Sequence, residues 1–382
     1  MLFPEDAAPP RRYNPAVRLL LLALLAFSAS AAEQPYPLWD GQETIEAYAK
    51  RANLEPTKTL GLGNGVKLEL VLLPAGKFVM GTPEPTPVDE EGFGKKIIIG
   101  QAVLAAGVGA LLFLLGAVVI RAVRQWRRPQ YSLARLVVMT VVAGVALLGG
   151  LHWHFSARGL TDAKAEHAAA LARYKEADES EKPAHEVTLT KPFYLGKFEV
   201  TQEQYQQVMG TNPSHSKGLD LPVEQVSWDD AQEFCRKARE RTGLAVRLLT
   251  QAEWEHACRA GTRTTYHTGD AETDLDRAAW HYRNSGNRTH PVGQKAPNTW
   301  GLYDMHGNVW EWCADYWCRD YGAEAATDPL GAAQGRECVL RGGCWDNHPT
   351  YCRSANRIRL GLDYRSYGVG FRVASSLPSK AP

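Results

Sequence analysis

The sequence predicts an α+β fold that is rich in loops and carries two transmembrane helices between its strands. Three observations predict it. Short strand-like segments flank turn residues in "KLELVLLPAGKFVMG" and "HEVTLTKPFYLGKFEVT". Three helical segments bring their own caps. Two long apolar runs separate the first strands from the next.

The N-terminus carries Arg11, Arg12 and Arg18, then an apolar stretch ending in small residues at Ala29 and Ala31. Residues 1–32 read as a signal peptide cleaved after Ala31 or Ala32, or as an uncleaved anchor. Either sends the downstream chain out of the cytoplasm. Residues 33–65 read as an N-terminal extension. The strands around Pro74 and Gly76 open the globular part.

Residues 97–120 then form a 24-residue run without a charge. About 20 apolar residues span a bilayer. A second span covers 133–155, with Arg135 near enough to its end to reach the headgroups. The connection holds Arg121, Arg124, Arg127 and Arg128 and no acid. Positive short loops stay inside, so the hairpin turn faces the cytoplasm and both flanks face outward. These Arg outweigh Lys95 and Lys96 at the outer end. Trp126, Tyr131 and Trp153 suit the interfacial belt, and the same reading covers His152 and His154. An Ala-rich, mixed-charge helix is expected after the second span.

"TQEQYQQVMG" predicts a helix capped by Thr201 and ended by Gly210. "SWDDAQEFCRKARERTG" predicts another, with Ser227 as N-cap, Asp229 and Asp230 at the positive end of the dipole, and Gly243 closing it. Thr250 and Glu253 form a capping box for a third. Beyond Gly261 only short strand candidates such as "CVLRGG" and "VGFRVA" remain. Eight of the eleven Trp lie between Trp228 and Trp345, and all seven Cys between Cys235 and Cys352. A net charge of +1 gives no global field for nucleic acid.

"LPVEQVSWDDAQEFCRK", "RLLTQAEWEHACRAG", "GLYDMHGNVWEWCADYW", "VLRGGCW" and "CRSANR" with "GFRV" occur in that order. Together they resemble the formylglycine-generating enzyme, or sulfatase-modifying factor, family. "FVMG" and "HEVTLTKPFYLGKFEVTQEQY" resemble its opening. The resemblance covers residues 66–82 and 184–374 and implies a loop-rich fold related to C-type lectins. Residues 83–183, with the hairpin, then look like an insertion into one loop of that domain, which tolerates it if its ends stay close.

The resemblance also implies a calcium loop in "GLYDMHGNVWEW". The ligands would be the side chains of Asp304 and Glu311 and the carbonyls of Gly307 and Val309. Calcium prefers roughly six to eight hard oxygens of this mixed kind. In copper-dependent members two cysteines bind copper(I), which soft thiolates suit. Aligned on Gly342 and Gly343, Cys352 matches the second and Asn347 falls at the first. Cys344 is the nearest thiol, so Cys344 and Cys352 are the candidate catalytic residues. The resemblance places a substrate groove here, with Trp310, Trp345 and Tyr351 as expected contacts. Iron-dependent sulfoxide synthases of the family use a His triad on an additional helical domain, and residues 33–62 hold no His.

An extracytoplasmic site permits disulfides. Cys313 with Cys352, and Cys318 with Cys338, are candidates, as are buried thiols. Arg353 and Arg372 are expected as internal staples. Two functions are compatible with these residues. One is a membrane-tethered extracytoplasmic oxidase converting a protein cysteine, such as that of a sulfatase, to formylglycine. The other is a non-catalytic binding or scaffolding module on the same fold.

Overall fold

Four hydroxyl residues start four helices. The Thr44 hydroxyl accepts from the Ala47 amide and opens α1 (Ile45–Ala52). In a computed structural model, residues 36–85, 161–175, 177–319 and 322–377 are described. Behind α1, β1 (Thr57–Gly63) and β2 (Val66–Leu73) form an antiparallel pair, and β3 (Gly76–Met80) follows. So the stretch read as an N-terminal extension supplies a helix and an edge strand of the domain. An Ala-rich helix α2 runs over 161–175. The chain divides into two compact units, one of residues 1–81 with 179–382 and one of 82–178.

The apolar runs at 97–120 and 133–155, the 1–32 segment and His152–His154 all lie outside the described residues. Among the described residues, no helix is long and apolar enough to cross a membrane.

β4 (His185–Leu189) and β5 (Phe193–Gly196) flank the turn at Lys191-Pro192. Thr201, Ser227 and Thr250 then cap α3 (Gln202–Met209), α4 (Trp228–Thr242) and α5 (Gln251–Arg259), each with a complete capping box. Gly210 and Gly243 close the first two in the left-handed region. Between α4 and α5 lies β6 (Ala245–Arg247). The loop-rich half adds β7 (Ala279–Trp280), β8 (His306–Gly307), β9 (Trp310–Tyr316), β10 (Ala326–Thr327), β11 (Glu337–Arg341), β12 (Ile358–Gly361), β13 (Val369–Gly370) and β14 (Ala374–Ser376).

The largest sheet has the order β1-β2-β5-β14-β6. A second is β12-β11-β9-β13, and smaller ones are β10-β4-β3 and β7-β8. The segment "VGFRVA" is not one strand. It leaves the second sheet at Gly370 and enters the first at Ala374. The break lets Arg372 turn into the interior between the sheets. Tyr205, Phe234 and Phe371 pack there, with Phe234 and Phe371 rings edge-on at 5.3 Å. Trp254 and Trp312 are wholly buried beside them. Aromatic packing of this density holds long loops that have few backbone ladders of their own.

Candidate functional site

The loop from Asp304 to Glu311 curls because Asp304, Gly307 and Asn308 all adopt left-handed backbone angles. Gly307 has no alternative: a Cβ there would sit 2.1 Å from the Trp280 carbonyl oxygen. The curl aims its polar groups inward. Asn308 donates to Glu199 at 2.6 Å, and the Val309 amide donates to the other oxygen of Glu199 at 3.1 Å. Glu199 was not singled out from the sequence. Its position just before the α3 cap in "FEVTQ" carries no signal of burial.

Arg372 holds the centre. It donates to both oxygens of Glu311, at 2.6 and 2.7 Å, and to the carbonyls of Gly196, Tyr303 and Asp304 at 3.0–3.3 Å. The Trp254 indole also donates to Glu311, at 2.9 Å. The staple expected of Arg372 is present. Asp304 accepts from the Gly293 amide through one oxygen, and its other oxygen is buried without a partner. Burial, then the nearby Asp304 and Glu311, push the Glu199 carboxyl well up. Burial pushes Asp304 up to about 6.

The implied calcium set can be weighed on these atoms. The donors are hard oxygens, Glu199, Asp304 and Glu311 outnumber one guanidinium, and Asp304 has a free oxygen. These features fit a calcium ion beside Asp304. Glu311 is already neutralised by Arg372, so it would share its oxygens. Among the described residues no three His, Cys, Asp or Glu side chains close into a metal-ligating group, and the implied set contains only two.

The next loop carries the cysteines. Asn347 accepts from the Cys344 amide at 3.1 Å and from its thiol at 3.2 Å, and the Asn347 amide donates to the Cys344 carbonyl at 3.0 Å. This closes a tight polar turn. Burial pushes the Cys344 thiol up to about 12 and Cys352 further still. His306 lies beneath them. Its Nδ1–H donates to the Cys352 carbonyl at 2.6 Å, and its Nε2 accepts from the His267 amide at 3.2 Å. That pair of bonds defines a neutral imidazole, and burial with the neighbouring His267 holds its pKa well down. Among the described residues, no side-chain base is placed to draw a proton from either thiol. Copper(I) needs two soft thiolates. The pair at 347 and 352 supplies one thiol and an amide already bonded to Cys344, so these two positions do not fit it.

Trp345 and Tyr351 lie at the surface, and Trp345 stacks obliquely on exposed Tyr367 with rings 5.6 Å apart. Exposed Tyr282 joins this face by donating its amide to the Asn347 carbonyl. Trp310, on β9 between β11 and β13, is 5 % exposed and belongs to the main core. The candidate disulfides do not form: Cys313, Cys338 and Cys352 carry free thiols. Cys313 packs in the main core, while Cys352 sits in a separate cluster with Tyr266, Leu275 and Ala279. Arg353 is a staple as expected, bound to buried Glu181 at 2.6 and 2.8 Å.

Among solved structures, PvdO from Pseudomonas aeruginosa shares the fold, with a TM-score of 0.54 at 24% identity over 85% of this chain and 99% of that one. The chain is 34% identical over 180 residues to Chaperone protein LppX of Paenibacillus barcinonensis, covering 34% of this chain and 64% of that protein. It is 32% identical over 191 residues to Formylglycine-generating enzyme of Mus musculus, covering 44% of this chain and 50% of that enzyme. It therefore spans about half to two-thirds of these curated relatives. The profile of the sulfatase-modifying factor enzyme 1-like domain matches residues 158–377. With over half its length under that match, and with the motif order and fold in agreement, the chain belongs to the sulfatase-modifying factor family.

Proposed function

We propose that this protein is a membrane-tethered, extracytoplasmic binding module of its family, whose aromatic face around Trp345, Tyr351 and Tyr367 receives a protein segment. One observation carries the reading: Asn347 stands where a copper thiolate is expected and is bonded to Cys344 as a structural acceptor. Aromatic side chains with polar neighbours suit recognition of a peptide, since they give contact area with little ordering cost. A relative bearing the name chaperone is consistent with binding without oxidation. Calcium, held beside Asp304, serves here to fix the loop rather than to react.

The competing reading is an oxidase that uses Cys344 and Cys352. Both thiols border the same Gly342–Gly343 turn, where a Cβ on Gly343 would meet the Cys352 sulfur at 2.6 Å. Copper(I) titration of the reduced, detergent-solubilised chain separates the two. The binding reading expects no tight site that depends on Cys352, and no oxygen consumption with a cysteine-containing sulfatase peptide. Stoichiometric copper lost in Cys352→Ser, together with turnover of the peptide, would sink it.

The tether rests on the 97–120 and 133–155 runs and their Arg-rich connection. A reporter fused within residues 122–130 is expected to behave as cytoplasmic. Activity of that fusion only outside the cytoplasm overturns the orientation.

A further inference from the structure

The two points where the 82–178 segment leaves and rejoins the domain meet in one buried charged cluster. Gly81 ends the outgoing strand. Its amide donates to Glu255 at 2.9 Å and its carbonyl accepts from Arg259 at 3.1 Å. Gly81 has φ +93°, and a Cβ there would lie 2.5 Å from the Glu181 carbonyl oxygen. The returning chain is thus pressed against the outgoing one, and only glycine allows the approach.

Glu181 on the returning chain is fully buried. It accepts two bonds from Arg353, at 2.6 and 2.8 Å, and one from Asn356 at 2.9 Å. Arg341 completes the cluster. It donates to Glu255 at 3.0 Å and to the carbonyls of Ser354, Ala355 and Asn356 at 3.0–3.2 Å. Burial opposes charge on Glu255, but Arg259 and Arg341 outweigh it and hold its carboxyl low. Removing one member of such a buried set leaves an uncompensated charge, so its members hold or open together.

The residues gripped from the far side, 353–356, come directly after Cys352. Arg353 also donates to the Thr350 carbonyl at 2.8 Å, which fixes the turn that presents Tyr351. A bidentate guanidinium–carboxylate pair is directional, so displacing Glu181 displaces that turn.

We propose that the stem at Gly81 and Glu181, where the 82–178 segment leaves and rejoins the domain, and the 350–356 turn form one cooperative unit, through which displacement of the stem regulates the face presenting Tyr351. The regulatory role rests on the binding reading above. The coupling itself does not, since it is read without any ligand.

Hydrogen exchange on the solubilised full chain tests it, because exchange resolves local opening from global unfolding. In Glu181→Gln, amides of 350–356 are expected to exchange at least about ten-fold faster than in the wild type. Those of α1, β1 and β2 should keep their rates. Coupling is reciprocal. Arg353→Lys, which keeps the charge but loses the fork, should speed exchange at Gly81 on the opposite side of the cluster. Glu69→Gln, on β2 away from the cluster, breaks an exposed pair with Lys197 and should leave 350–356 unchanged. Unchanged exchange at 350–356 in Glu181→Gln overturns the proposal. So does a uniform acceleration that includes α1 and β1, or an Arg353→Lys effect that stops short of Gly81. If Glu181→Gln does not fold, the Arg353→Lys result decides alone.

Discussion

Arg372→Met is expected to destabilise the domain by about 3–5 kcal/mol at neutral pH, the usual cost of leaving buried charge unpaired. The guanidinium is fully buried and bonds both oxygens of Glu311 and the carbonyls of Gly196, Tyr303 and Asp304, which lie on two separate segments. Without it, Glu311 keeps the Trp254 indole, and Glu199 and Asp304 lose the cation that faces them. Methionine fills much of the volume, so the loss reports charge and hydrogen bonding rather than a cavity. Urea unfolding of the folded domain measures it. A loss under about 1 kcal/mol, ordinary for a neutral hydrogen bond, would show that these carboxylates are neutral or compensated in another way. The same melts address calcium. If calcium is held beside Asp304, it raises the wild-type midpoint, EGTA lowers it, and Asp304→Ala removes the difference. Identical melts with calcium and with EGTA rule that ion out of the loop.

Trp254→Ala is expected to cost a similar amount, about 3–5 kcal/mol, the range for deleting a large buried aromatic. Trp254 is completely buried on α5, and its indole donates to Glu311 at 2.9 Å. Arg341 lies over its ring at 5.8 Å, and Gly342 packs against its edge. The side chain therefore joins the Arg372 centre to the strand that leads into the cysteine loop. Trp254→Phe separates the contributions. It keeps most of the packing and removes the N–H, so it should cost about 1–3 kcal/mol, the penalty of one unsatisfied buried partner. Equal losses in the two variants would place the whole effect in the hydrogen bond and contradict the packing role.

The helices were legible because their caps are local. Thr201, Ser227 and Thr250 act on amides three residues away, so sequence alone marks where α3, α4 and α5 begin. The strands on either side of Pro74 and Lys191-Pro192 were legible from local alternation, although each turn joins strands of two different sheets. The family could be read from motifs, since their order survives whatever joins them. The staple roles of Arg353 and Arg372 could be read from their place inside those motifs, although their partners could not.

What only the tertiary structure decided are contacts between residues far apart in the chain. Glu199 looks like any acid beside a helix cap until the Asp304–Glu311 loop folds over it. Trp310 gives no local sign that it packs in the main core, and Asn347 reads as a missing ligand until it closes the turn on Cys344. Gly81 and Glu181 are separated by the whole inserted segment, and nothing local announces that they touch. The sequence by itself determined the helix starts, the strand periodicity and the family, because these depend on neighbours within a few residues. Charge pairing and burial depend on which distant segments meet, and that is set by the packing of the complete core.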